Sequence, residues 1–464
     1  MARSRRVAGG LDLTGGGGSR SLASVRRSSS KQREPLPRGF GTIWTTVAVD
    51  LIGFGIVLPI LPQYAERFGA SPLTIGVLVA SFSMAQLVFA PIWGRLSDRI
   101  GRKPVLLISL FGTAIGSLLT GVAPSIALLF LGRIIDGASG ASVSVAQAAV
   151  ADVAPARDRA RLMGLLGAAF GVGFVAGPAI GAVGALINPR VPFFIAAAIS
   201  TVNALVAIKR LPETSPEHGG IGHEALADGI ADGIEGSAEL ERAGSLDGPQ
   251  PGTPFESEAA YVTGGDQARD ASGWGVDRHS IIRLITVSFV GMVAFSGFEA
   301  TFALLTDARY GLTLSGTAGV FTVIGLALVV VQVSLVGRVN DRLGESPTLR
   351  AGLTANAMGL LLLAVDGGWV TLVASLTLLV VGQGLITPTL SSAVAGRAGR
   401  ERGTWLGWQQ SAGGLARIIG PITAGALFEH IGVGSPYVVG AVLALVALSL
   451  VPRGTAVADP VATG

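Results

Sequence analysis

The chain has 464 residues, half of them hydrophobic and only 14% charged, with a mean hydropathy of +0.60. That is too apolar for a water-soluble fold of this length, so lipid is the expected solvent for most of it. The complete lack of Cys excludes disulfides, thiolate metal sites and cysteine nucleophiles. The formal charge of +4 comes from Arg at loop positions and near the N-terminus, a pattern of membrane topology and not of nucleic-acid binding.

Residues 1–38 carry nine basic side chains among Gly and Ser, without the apolar core of a cleavable signal, and read as a disordered cytoplasmic tail. Apolar segments follow at 40–62, 73–93, 104–122, 127–150, 161–185 and 192–211, then at 281–305, 313–336, 347–365, 369–392, 404–428 and 435–451. Each is about 20 residues, enough to cross a hydrocarbon core of about 30 Å. The predicted fold class is an all-α membrane protein of twelve transmembrane helices in two six-helix bundles, 39–212 and 279–453. Residues 213–278, rich in Gly, Asp and Glu, read as a solvated cytoplasmic linker, and 454–464 as a tail. Arg and Lys flanks at Arg95 to Lys103, Arg157 to Arg161, Lys209, Arg210, Arg338, Arg342 and Arg397 to Arg402 all fall on one side. By the positive-inside rule that side is the cytoplasm, and both termini lie on it.

The halves repeat. Gly94 aligns with Gly337, Asp98 with Asp341, Gly101 with Gly344, Pro104 with Pro347, Gly177 with Gly420 and Pro178 with Pro421. All share one shift of 243 positions (337 − 94, 341 − 98, 420 − 177). An even number of spans per half makes the repeats parallel, with a cavity between them near the midplane and access alternating as they rock.

Four stretches carry candidate chemistry. In the first span, Asp50-Leu-Ile-Gly-Phe-Gly-Ile-Val-Leu-Pro59-Ile-Leu-Pro62 puts a carboxylate in mid-span. An ionised group there costs about 2.5 to 3.5 kcal/mol unless paired or hydrated, so Asp50 is expected to face the bundle interior. Between the second and third spans comes Gly94-Arg-Leu-Ser-Asp98-Arg99-Ile-Gly101-Arg102-Lys103-Pro104. Gly94 is expected to admit a neighbouring helix, Gly101 to permit the reversal and Asp98 to face a helix N-terminus. In the fourth span Arg133, Asp136, Gly140, Ser144 and Gln147 recur at steps of three or four, one polar stripe expected to line water. Arg133 and Asp136 can pair locally, and Asp50 offers Arg133 a second carboxylate. The fifth span holds Gly173, Gly177 and Gly181 at spacings of four, with Pro178, a flat face for a close crossing beside a bend. Glu299 in the seventh span and Arg417 in the eleventh are further deep charges, suited to bind substrate or to pair with each other.

The Gly94–Pro104 stretch resembles the loop signature of the major facilitator superfamily, and the first-span stretch resembles its drug:proton antiporters of twelve spans, the branch that includes tetracycline exporters. The resemblance implies that Asp98 contacts the start of the eleventh span, near Thr404, in the state closed to the cytoplasm, with Arg102 and Asp152 in the same charge relay. The Arg133 region resembles the fourth-span motif, and Gly177-Pro178 the motif that marks antiporters. Together these imply an inner-membrane exporter of amphipathic small molecules, exchanged against protons loaded on Asp50 and tuned by Arg133 and Asp136. It would act as a monomer, without cofactor or metal, driven by the proton gradient. An importer of a sugar or organic acid, or a transport-inactive sensor, remains the alternative. The Gly-Pro motif counts against the first and the intramembrane charges against the second. No nucleotide-binding loop or metal-ligand spacing supports an enzyme.

Overall fold

The computed structural model describes residues 36–154, 159–215, 218 and 277–452. The expected N-terminal tail up to residue 35, most of the linker, the C-terminal tail, Arg157 and the side chains of Arg159 and Arg400 lie outside the described residues. Residues from Arg38 onward form one compact unit, all-helical among the described residues.

The first span is two helices, α1 (Phe40–Val57) and α2 (Leu61–Glu66). Pro59, which has no backbone N–H to donate, sits in the turn between them. Helix α3 (Pro72–Ile100) is capped by Ser71, whose hydroxyl accepts from Thr74 N at 3.3 Å. It runs through Gly94 to Ile100, so the expected loop is helical except for Gly101, whose φ of 97° reverses the chain into α4 (Arg102–Val122). The fourth span is broken into α5 (Ile126–Ala138) and α6 (Ser142–Val153), and α7 (Arg159–Ile187) and α8 (Val191–Arg210) complete the first half.

In the second half α9 (Arg278–Tyr310) begins at an Asp277 cap and ends at Gly311, which has a φ of 62°. Then come α10 (Leu314–Ser334), α11 (Val336–Leu343), α12 (Glu345–Ala364), α13 (Gly368–Arg397), a 3₁₀ turn at Gly399–Glu401, α14 (Arg402–His430) and α15 (Ser435–Leu450). The repeat extends to helix ends: α7 and α14 start and stop one 243-residue shift apart (402 − 159, 430 − 187). Gly344, with a φ of 80°, makes the turn that Gly101 makes in the first half.

Ten helices among the described residues are long and apolar enough to cross a membrane, the α5–α6 pair counting as one. Twelve were expected. The two that fall short have physical reasons: α15 is only 16 residues long, and α12 opens on Glu345 and Ser346 and carries Arg350 and Asn356. Large apolar side chains face outward, Val333 at 82% and Val370 at 83% exposure among them, as lipid-facing surfaces require.

The halves meet through α3 along α14 and α7 along α10. Glycine lets these and the α1–α7 crossing close up. A Cβ at Gly177 would lie 2.5 Å from the Gly55 carbonyl carbon, and one at Gly173 would lie 2.6 Å from Leu51 O. The second-half counterpart of Gly177, Gly420, would meet Val293 O at 2.5 Å. Across the seam between halves, a Cβ at Gly76 would run into the Pro421 carbonyl, and one at Gly325 into that of Phe174. Toward the other end the contact fades: at Gly164, Gly167, Gly403, Gly407 and Gly413 a Cβ would meet nothing within 4 Å. The molecule is therefore shut at the end carrying α2 and parted at the end carrying Gly101.

Gly177→Val should overpack the α1–α7 crossing by about 1–3 kcal/mol or more, lowering the melting temperature and the monodisperse yield in detergent. Gly164→Ala, four turns nearer the open end, should leave both unchanged.

Candidate functional site

The break in the fourth span builds the site. Between Ala138 and Ser142 the helical ladder stops, and the freed carbonyls would be intolerable in lipid without other donors. Each finds one. Trp93 Nε1 donates to Ala138 O at 2.5 Å, Gln86 Nε2 to Gly140 O at 2.9 Å, and the Ser109 hydroxyl to Ser139 O. Gly137 is required there, because any Cβ would run into the Phe82 backbone of α3.

Helix α6 starts beside Asp50. The Ser142 hydroxyl, in its first turn, donates to Asp50 Oδ2 at 2.5 Å. Asp50 is 9% exposed, and its other oxygen, Oδ1, is buried without a hydrogen-bond partner. A carboxylate aimed at the N-terminus of a half-helix in mid-span is stabilised by that helix's free N–H groups and dipole. Arg133 pairs with Asp136 at 2.7 Å and lies 4.6 Å from the centre of the Phe82 ring. Both are buried.

This differs from the expected stripe in two ways. Asp50 is bonded to Ser142 and not to Arg133, whose carboxylate partner is Asp136 alone. The break also separates Arg133 and Asp136 on α5 from Ser144, which is exposed, and Gln147, which is half-buried, on α6. The reason is local: Gly137 and Gly140 in a run of small residues offer the helix little side-chain packing to hold it straight. The same run, Gly137-Ala-Ser-Gly-Ala-Ser142, is the signal by which the break and Ser142 could have been found.

At the open end, Arg102 joins Asp98 at 2.5 Å and Asp152 at 3.0 Å. Asp98 is 63% exposed and does not sit on the start of α14, the contact the resemblance implied for a closed cytoplasmic end. Gly94, expected to admit a helix, has nothing within 4 Å for the same reason: this end is parted. Arg99 lends its carbonyl to His218 Nε2 at 2.9 Å. Lys103 N and Arg102 N donate to the two oxygens of Glu213, at 3.1 and 2.8 Å. Glu213 was read as the start of a free linker; instead its carboxylate caps α4. Burial works to raise its pKa, but four backbone N–H groups, from Ser215, Arg102, Lys103 and Thr214, outweigh it and hold the carboxyl below its ordinary value.

Gly173, Gly177 and Gly181 pack on Leu51, Gly55 and Ile60 of the first span, so this stripe with Pro178 in α7 backs the helix that carries Asp50. Glu299 is half-buried and Arg417 exposed, on adjacent helices tied by the Ser296 hydroxyl bond to Ala416 O at 3.1 Å, and they form no ion pair with each other. Phe295 and Phe298, on the same helix as Glu299, line an apolar cleft with Leu376, Leu379 and Gln383. No group of three or more metal-ligating side chains occurs among the described residues.

Two repeated helical bundles, parted at one end and holding charges within an apolar interior, define a membrane carrier that works by secondary transport. The chain belongs to the Major Facilitator Superfamily, whose family model matches residues 43–335 and 320–461. It is a multi-pass inner-membrane transporter and not an enzyme. It is 26% identical to "Multidrug resistance protein 2" of Bacillus subtilis (strain 168), over 89% of this chain and 94% of that one. It is 30% identical to "Tetracycline resistance protein, class G" of Vibrio anguillarum, over 88% and 95%. Among solved structures, the human organic anion transporter MFSD10 matches with a TM-score of 0.63 and 25% identity, over 90% of this chain and all of that one.

Because the Glu213 carboxyl is held below its ordinary value of 4.5, its bonds are fully formed above that pH and are lost as pH falls through the lower folded value. Glu213→Ala should therefore speed amide exchange at Arg102 and Lys103 about tenfold at pH 7, as loss of a charge-assisted bond of about 1.5 kcal/mol implies. In the parent protein the protection, corrected for intrinsic rates, should disappear only below pH 4.5.

Proposed function

We propose that the protein is a proton-coupled antiporter that exports amphipathic small molecules by alternating access. The observation that carries this reading is Asp50: a buried carboxylate with one oxygen on Ser142 and the other bare, in the span that the Gly173–Gly181 stripe backs. A bare acceptor of this kind takes a proton without first breaking a bond. Arg133 with Asp136 sets the local field, and Gln147 lies on the same half-helix as Ser142. In the second half Glu299 and Arg417, which interact across adjacent helices without a direct ion pair, supply charge recognition for a substrate whose bulk is apolar. The relatives named for multidrug and tetracycline resistance support export of such compounds.

The arrangement we infer has twelve spans, with α12 and α15 as the ninth and twelfth. Both termini and the linker lie on the cytoplasmic side, the side of the Gly101 turn. The structure then corresponds to the state open to the cytoplasm, and Asp98, Arg99, Arg102, Lys103 and Asp152 form the gate that closes it. One proton moving inward yields about 2.3 kcal/mol per 100 mV. At about 1.4 kcal/mol per tenfold ratio, that sustains a roughly fifty-fold gradient of a neutral substrate.

In proteoliposomes with an imposed pH gradient, adding an amphipathic drug such as a tetracycline should trigger proton flux, and Asp50→Asn should abolish it while drug binding persists. Full proton-driven exchange in Asp50→Asn would remove Asp50 from the coupling site.

A further inference from the structure

At the shut end the two halves are joined by a buried amide, beside an exposed tie in which Leu73 N donates to Glu429 Oε2 at 3.0 Å. Gln63, on α2, is 5% exposed, and its Nε2 lies 3.0 Å from Ala303 O, 3.1 Å from Leu312 O and 3.1 Å from Thr317 Oγ1. All three acceptors belong to the second half: one on α9, one in the turn after it and one on α10. Two N–H protons shared among three acceptors fix the amide from three directions. Thr317 is itself held by Thr306, hydroxyl to hydroxyl at 3.0 Å. Packed beside Gln63 are apolar side chains, Leu304 and Ala318 of the second half buried among Leu61, Ile75 and Leu78 of the first. Apolar contacts of this kind tolerate a small slide, whereas hydrogen bonds weaken steeply once distance or angle departs from a narrow range. The other amide atom, Oε1, is buried without a partner. That unmet acceptor offsets part of what Nε2 gains, so the closure is reversible.

We propose that Gln63 is the latch of the shut end, a positioning residue whose amide ties the first span to the α9–α10 corner and must let go when this end opens. The proposal rests on the alternating-access reading above. Its position gives the latch a line to the coupling site: Gln63 and Asp50 lie on one kinked span, 13 residues apart (63 − 50), about 20 Å at helical rise. Closing the latch fixes the outer part of the span whose inner part holds the carboxylate.

The absence of native Cys allows a test without background. Ala318→Cys places a small thiol in the seam at a position 0% exposed in this structure, and Ala204→Cys places one in the first-half core, also 0% exposed. In intact cells, a membrane-impermeant maleimide should label the thiol of Ala318→Cys about tenfold faster when Gln63→Leu is added, while Ala204→Cys stays unlabelled. Thr317→Val, which deletes one acceptor and leaves Gln63 in place, should raise the rate two- to threefold, and it serves if Gln63→Leu fails to fold. A rise at both reporters would mean general loosening and would overturn the latch. Equal, measurable rates at Ala318→Cys with and without Gln63→Leu would overturn it while alternating access stands. No labelling in any background, even with drug and an imposed gradient, would overturn both.

Discussion

In lipid every backbone carbonyl and N–H must be satisfied within the protein, and the fourth span meets that demand in an unusual way. Where its ladder fails after Ala138, three side chains from two neighbouring helices, Trp93, Gln86 and Ser109, take the freed carbonyls. Only because those groups are met can a new helix begin in mid-membrane, and only because it begins there does Asp50 face a helix N-terminus. The placement of the carboxylate thus depends on a backbone defect that is fully compensated elsewhere.

Glycine sets how closely helices approach, between the halves at Gly76 and Gly325 and within each half. Gly55, Gly173 and Gly177 bring the Asp50 span against α7, and Gly420 does the equivalent against α9 in the second half. The repeat gives each bundle the same gradient, tight at one end and free at the other, a geometry compatible with the proposed rocking of the two bundles. A close crossing of this kind has little area to lose on rotation, since the contacts are backbone to backbone and lie near the axis.

On the proposed reading, the groups assigned to transport sit on the pieces that a pivot would displace least or most. Asp50 and the Arg133–Asp136 pair lie inside the first bundle near the waist and are buried in this structure. Gln63 bridges the bundles at the shut end, and the Asp98–Arg102–Asp152 relay with its Glu213 brace stands at the parted end, entirely within the first half. The brace joins the chain that leaves α8 to the turn carrying the relay, so the first residues after the bundle belong to it structurally.

The sequence by itself determined the membrane class, the approximate place of most apolar segments, the repeat, and the burial of Asp50, Arg133 and Asp136. Hydropathy, period and the positions of Gly, Pro and Arg act locally and need no partner to be read. The extension of α3 to Ile100 and the role of Glu213 were not legible, because they turn on helix ends, where neighbouring groups decide. Tertiary structure alone decided that Asp50 meets Ser142 and not Arg133, that Glu299 and Arg417 come near without a direct ion pair, and that Gln63 spans the halves. Each of those outcomes is a choice among several polar partners of equal chemical merit, and only the packing of one helix against another fixes which comes within about 3 Å.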